Sequence, residues 1–173
     1  MKNKQALKEI IFSEFSLPQT EQVKAIRNWV NTNSSHNIDG EHDQYAFQIH
    51  KVLEKLLHYH TTRNSPPHLS CGPRSYAMKE ILKLVGVQSR VIDIFQVLDG
   101  VVNPQTLLEV YCDDTDRWIL QDPDFNTEYV LTAEESLPLS SKSAFLADKS
   151  RIHYSTNGYQ IENKQNCVNT IAH

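Results

Sequence analysis

Apolar residues return every three or four positions through the first half of the chain and fall into short β-branched runs through much of the second. Leu7, Ile10, Ile11 and Phe15 recur near helical spacing and predict a helix over residues 5–15. SLPQT punctuates the chain there. Pro18 suits a first turn, where no intrahelical donor is needed, and Val23, Ile26, Trp29 and Val30 form the apolar face of a second helix. The polar, turn-rich stretch NTNSSHNIDGEHD ends it in a loop. Tyr45, Phe47, Val52, Leu53, Leu56 and Leu57 predict a third helix over residues 43–59. After the breaker cluster TTRNSPPHLSCGP, a fourth helix is marked by Tyr76, Ala77, Ile81, Leu82 and Val85, with Gly86 where a left-handed cap is needed.

From there the pattern changes. VQSRVIDIFQV reads as a strand, and TLLEVYC and RWILQD read as two more joined by the hairpin turn DDTD. The expected sheet holds residues 88–97, 106–112 and 117–122. Beyond Asp122 the periodicity weakens. Ser141 to Asp148 suits a short helix, and Asn157-Gly158 is a turn signal between HYS and YQIE. Helices first and antiparallel strands afterwards predict an α+β fold, with the helices packed on one side of a small antiparallel sheet. At 173 residues and 39% hydrophobic, the chain suits one domain spanning 1–173, and no repeat or linker divides it.

Charge narrows the function. Lys and Arg total 17 against 21 Asp and Glu, a net charge of -4, so the chain lacks the basic excess expected of a nucleic-acid-binding protein. No apolar run approaches the ~18 residues of a membrane span. Lys8, Glu9 and Glu14 break the apolar residues of MKNKQALKEIIFSEF, which is not a signal-peptide pattern, and the expected compartment is the cytoplasm. No cofactor is expected. His36 and His42 lie near Asp39, Glu41 and Asp43, and His58 and His60 flank Tyr59, but neither spacing matches a known metal motif, so no metal site is expected.

The three cysteines, Cys71, Cys112 and Cys167, cannot all pair within one chain, and none forms a CxxC motif. Cys112 follows Tyr111 on a strand and reads as structural, while Cys167 lies in a polar tail. Cys71 opens a strongly periodic helix. A helix N-terminus offers unpaired N–H groups and partial positive charge, which favour a thiolate and can hold an oxyanion. Its bland reading is a buried thiol at a helix start. A thiol nucleophile needs a base and commonly a carboxylate that orients it. Asp122, at the end of RWILQD and before Pro123, is placed to orient a group on the neighbouring strand; its plainer role is a turn-forming Asp-Pro.

The segment HLSCGPRSYAMKEILKLVGVQSRVIDI resembles the nucleophile helix and following strand of the transglutaminase-like superfamily, with Gly86 to Arg90 at the strand entry. QTLLEVYCDDTDRWILQDPDFN resembles that family's next hairpin, usually His-x-x-x-Glu-Val-Tyr, a turn, an aromatic residue and then Asp-Pro. Glu109, Val110, Tyr111, Trp118, Asp122, Pro123, Phe125 and Asn126 fill the matching places, and AIRNWVNTN resembles the helix that precedes the nucleophile segment. The likeness covers about residues 22–126 and leaves 130–173 unassigned.

The resemblance implies a papain-like Cys-His-Asp arrangement, with Cys71 as nucleophile and Asp122 as orienting acid. The family's histidine position, four before Glu109, holds Gln105. A carboxamide is neither acid nor base near neutral pH, so ordinary triad chemistry is impaired. Four readings of Gln105 stay open: a natural pseudoenzyme that binds in the cleft, a His-to-Gln variant of an active enzyme, a base from another histidine such as His68, or a thiol acting unaided. An active site would perform acyl transfer or amide hydrolysis through a Cys71 thioester, on a peptide, protein or acyl substrate. The alternative is a non-catalytic module that binds a peptide or acyl group.

Overall fold

The computed structural model describes residues 2–12, 17–36, 45, 47–98, 101–130, 138–146 and 153–156. Helix α1 runs Lys2–Phe12 and helix α2 runs Gln19–Thr32. Pro18 stands just ahead of α2, and its carbonyl accepts the N–H groups of Glu21 and Gln22, both at 3.0 Å. The polar stretch after α2 contains a two-residue strand, β1 Ser35–His36, where a loop was expected. Its partner, β2 His68–Leu69, lies in the breaker cluster just before the fourth helix, and the two pair in parallel. Strands this short leave no periodic trace in a sequence.

Helix α3 spans Ile49–Thr62, displaced toward the C-terminus from the expected 43–59. Tyr45 and Phe47 lie in turns ahead of it; Phe47 is 83% exposed, while Tyr45 packs from outside the helix against the cluster of Val52 and Leu56. At its C-terminal end the Thr61 and Thr62 hydroxyls donate to the carbonyls of Leu57 and His58, at 3.1 and 2.8 Å. Helix α4 spans Cys71–Leu84. Gly86 (φ 80°) turns the chain out of it, while the Val87 N–H reaches back to the Leu82 carbonyl at 3.0 Å.

Five strands then pair antiparallel in sequence order: β3 Ser89–Leu98, β4 Val101–Cys112, β5 Arg117–Asp122, β6 Thr127–Val130 and β7 His153–Thr156. The DDTD hairpin joins β4 to β5 as expected. Strand β4 begins before the expected residue 106 because Pro104 does not end it. Pro104 pairs with Phe95 of β3, whereas β5 meets β4 only from Leu108 to Cys112, so the missing N–H falls where one edge of β4 is unpaired by β5. The short helix α5 covers Ser141–Leu146. HYS lies in β7, paired with β6. The expected Asn157-Gly158 turn and YQIE strand lie outside the described residues.

The pleat divides the core in two. Leu108, Val110, Cys112 and Ile119 meet Val23, Ile26 and Val30 of α2 and Met78, Ile81 and Leu82 of α4. On the other face, Leu107, Leu120 and Tyr129 pack with Leu139, whose N–H and carbonyl bond the backbone of Tyr129 and Leu120. A third cluster joins Val52 and Leu56 of α3 to Leu69 and Ala77. The fold is thus α+β, helices against a small antiparallel sheet. Among the described residues no helix is long and apolar enough to cross a membrane.

Candidate active site

Cys71 is the first residue of α4, following the extended Ser70. Helical bonding starts with the Arg74 N–H on the Ser70 carbonyl at 3.2 Å, Pro73 has no N–H, and the Ser70 side chain makes no cap. The backbone N–H groups of Cys71 and Gly72 are therefore the helix-start donors beside the thiol. Thr106 of β4 packs against this turn. Its carbonyl accepts the Ser75 hydroxyl at 2.8 Å, and its own hydroxyl donates to Asp93 of β3 at 2.8 Å. A Cβ at Gly72 would stand 3.8 Å from the Thr106 hydroxyl oxygen.

The thiol is half-buried, and burial pushes its pKa above the ordinary cysteine value. Hydrogen bonds from Thr106 pull the other way, while the carboxylates of Asp124 and Asp122 add to the rise. The thiolate expected at a helix N-terminus is thus disfavoured by its surroundings. Cys112 is fully buried and pushed further, to about 12.

Gln105 precedes Thr106, and alternation along β4 sends its side chain to the opposite sheet face, the face of Leu107 and Asp122. There its Nε2–H donates to Asp122 Oδ2 at 3.3 Å. The same oxygen accepts the Tyr129 hydroxyl at 3.3 Å, and Oδ1 accepts the N–H groups of Asp124 and Phe125 at 2.9 and 3.1 Å. Asp122 is wholly buried. Burial and the nearby Asp124 carboxylate raise its pKa, against the pull of these donors. Gln105 and Asp122 are in direct contact, and Cys71 meets the strand at Thr106, one residue from Gln105.

A second buried carboxylate, Asp124, adjoins this group. Its Oδ1 receives Arg74 Nη1 at 2.9 Å and His36 Nδ1 at 2.8 Å, and its carbonyl receives Arg74 Nη1 at 2.9 Å. Arg74 is 1% exposed, and its Nε–H has no partner. Neither Asp124 nor Arg74 stands out in the sequence as a site residue. Asp124 sits two positions beyond Asp122, and Arg74 one helical turn beyond Cys71, spacings that keep both near the thiol. His36, read in the sequence with the acidic loop, lies on β1 and faces Asp124 instead; His42, Asp39, Glu41 and Asp43 lie outside the described residues.

His68 is exposed, on β2. His58 and His60 lie within α3, so they diverge around its axis, and His60 Nδ1 accepts the Trp29 indole N–H at 3.1 Å. Among the described residues no group of three or more His, Cys, Asp or Glu could hold a metal ion. Trp118 is only partly buried and carries the Arg90 guanidinium 4.5 Å from its ring centroid. Arg90 in turn bonds the buried Glu109 at 2.6 Å.

No family model matches the chain, and no curated protein matches it. Among solved structures the chain is similar to a proposed cysteine protease from Cytophaga hutchinsonii, at 15% identity and a TM-score of 0.46, over 89% of this chain and 47% of that one. The chain therefore spans about half the length of the structure it matches.

Proposed function

We propose that the chain is a single transglutaminase-like domain whose cleft performs cysteine-dependent acyl chemistry, with Cys71 as nucleophile. An amide or thioester carbonyl would be attacked by sulfur, and the N–H groups of Cys71 and Gly72 would hold the oxyanion. Water as the acceptor completes a hydrolysis, and an amine completes an acyl transfer. The observation that carries this reading is the Gln105–Asp122 hydrogen bond, made one residue from the threonine that flanks the thiol. Asp122 holds the carboxamide as it would hold an imidazole nitrogen, so the orienting half of a Cys-His-Asp site stands ready for a base. Gln105 itself transfers no proton, and the rate through this position is correspondingly low.

The test is Gln105→His. Amidase, esterase or acyltransferase activity should rise by roughly two or more orders of magnitude, since general-base catalysis contributes about 10²–10⁴-fold. The elevated thiol pKa favours a second reading, a cleft that binds a peptide or acyl group without turning it over. Absence of turnover in both the starting chain and folded Gln105→His, across amide, ester and thioester substrates, would favour that second reading over the first.

A further inference from the structure

A pocket of about 290 Å³ lies among α1, α2 and α3, and neither Cys71 nor Gln105 nor Asp122 lines it. Its size is just under the usual range for small-molecule clefts, about 300–1,000 Å³. Ile10 of α1 and Ile26 and the Trp29 ring of α2 form an apolar wall. The polar side chains lean one way, toward donors. The Trp29 indole N–H can only donate, so the His60 Nδ1 that receives it at 3.1 Å carries the lone pair and the ring proton sits on Nε2. Burial and then the Arg63 guanidinium lower the His60 pKa, which keeps the imidazole in that neutral form near pH 7. Asn28 Oδ1 is taken by Asn126 Nδ2 at 2.9 Å, which leaves the Asn28 amide N–H groups for the pocket. Asn33 Oδ1 is taken by Arg63 Nη1 at 3.1 Å, and the guanidinium retains further N–H groups. The Thr32 hydroxyl turns into its own helix, onto the Asn28 carbonyl at 2.8 Å. Among the described residues that line the pocket, none is Asp or Glu.

We propose that this pocket is a second binding site, for a small monocarboxylate with a one-ring or branched apolar body. An ionised carboxylate only accepts hydrogen bonds, which suits a lining of donors beside one fixed positive charge. The carboxylate would meet the Arg63 guanidinium, the His60 Nε2–H and the Asn28 amide, and the apolar body would cover Trp29, Ile10 and Ile26. Other ligands fit less well. A cation would meet Arg63 with like charge, and inorganic phosphate would leave the apolar wall uncovered. A peptide segment would bring N–H groups that find few free side-chain acceptors here. The site is independent of the acyl chemistry proposed for Cys71, since none of its contacts involves the thiol.

The test titrates phenylacetate, neutral phenylacetamide and acetate into the full chain, followed by calorimetry and by the proton–nitrogen NMR spectrum of the two indoles. Trp29→Phe assigns the Trp29 resonance. Phenylacetate should bind one to one, move the Trp29 indole signal and leave that of Trp118 in place. Phenylacetamide lacks the charge and acetate lacks the body, so each should bind at least tenfold more weakly. Arg63→Gln should weaken phenylacetate at least tenfold, as expected when a charge-assisted hydrogen bond is lost, and leave phenylacetamide unchanged. Asn28→Asp keeps an acceptor for Asn126 but presents a carboxylate to the pocket, and it should abolish phenylacetate binding. Lys83→Gln, an exposed cation of α4 outside the pocket, should match the starting chain. Thermal denaturation checks that each variant is folded, and because Arg63 is exposed its substitution leaves the core intact. No Trp29 shift at millimolar phenylacetate, a shift of Trp118 alone, or equal affinity for phenylacetamide would each overturn the site. So would unchanged phenylacetate affinity in folded Arg63→Gln, or an equal loss in Lys83→Gln.

Discussion

Arg27 of α2 is 1% exposed, yet it carries a charge into the interface between helix and sheet. Its Nη1 donates to Gln121 at 2.6 Å and its Nε to Asn126 at 3.1 Å, with Glu128 at 3.9 Å completing the charge. Burial lowers its pKa and the surrounding acids raise it again. Truncation would leave Glu128 and two buried amides short of a donor. Arg27→Ala should therefore cost about 3–5 kcal/mol by urea denaturation, and Arg27→Met, which refills the volume, should cost less. Glu109 shows the opposite balance. Burial pushes its pKa up, but the Ser141 N–H and hydroxyl, at 2.7 and 2.6 Å, and the Arg90 guanidinium outweigh it and hold the carboxylate below its usual range. A depressed carboxylate adds stability above its unfolded pKa and loses it as pH falls through the folded value. The stability gap between the starting chain and Glu109→Gln should accordingly be widest near neutral pH and close on acidification below about pH 4. A gap independent of pH would mean that charge at this position adds nothing.

At the scale of elements, α4 shows why its boundaries were readable and those of others were not. Its apolar spacing predicts the body and Gly86 its end, and the structure has both. With φ at 80° and nothing within 4 Å of the place an added methyl would take, Gly86→Ala meets strain without collision. Thermal or urea denaturation should find it about 1–2 kcal/mol less stable, the left-handed penalty alone. Where tertiary pairing overrides local pattern, the sequence misleads. Aromatic residues at 45 and 47 imitate the start of α3 but stand in turns, and Pro104 imitates a strand boundary although β3 still pairs beyond it. Strands β1 and β2 are defined only by each other, 33 residues apart in register, and no local window can show such a pair. The site divides along the same line. Cys71 and Asp122 were legible because one opens an element and the other ends one, and Gln105, inside β4, only through the family resemblance. Asp124, Arg74 and Thr106 were not, because their roles follow from contacts between elements.

For the molecule as a whole, the sheet separates two tasks. Its helix-facing side is built from Leu108, Val110 and Ile119 against α2 and α4, and its other side carries Gln105, Asp122 and Tyr129. The candidate site gathers at the end of this layer, where the first turn of α4 meets β4 and the β5–β6 turn supplies Asp124. That arrangement has a consequence for assembly in time. Asp124 lies 88 positions from His36 and 50 from Arg74, so its contacts close long loops. Long-range closures lose entropy before packing repays them and come late in folding. Helices can therefore form while the cysteine still lacks its acidic neighbours, and the proposed cleft is complete only when the β5–β6 turn docks.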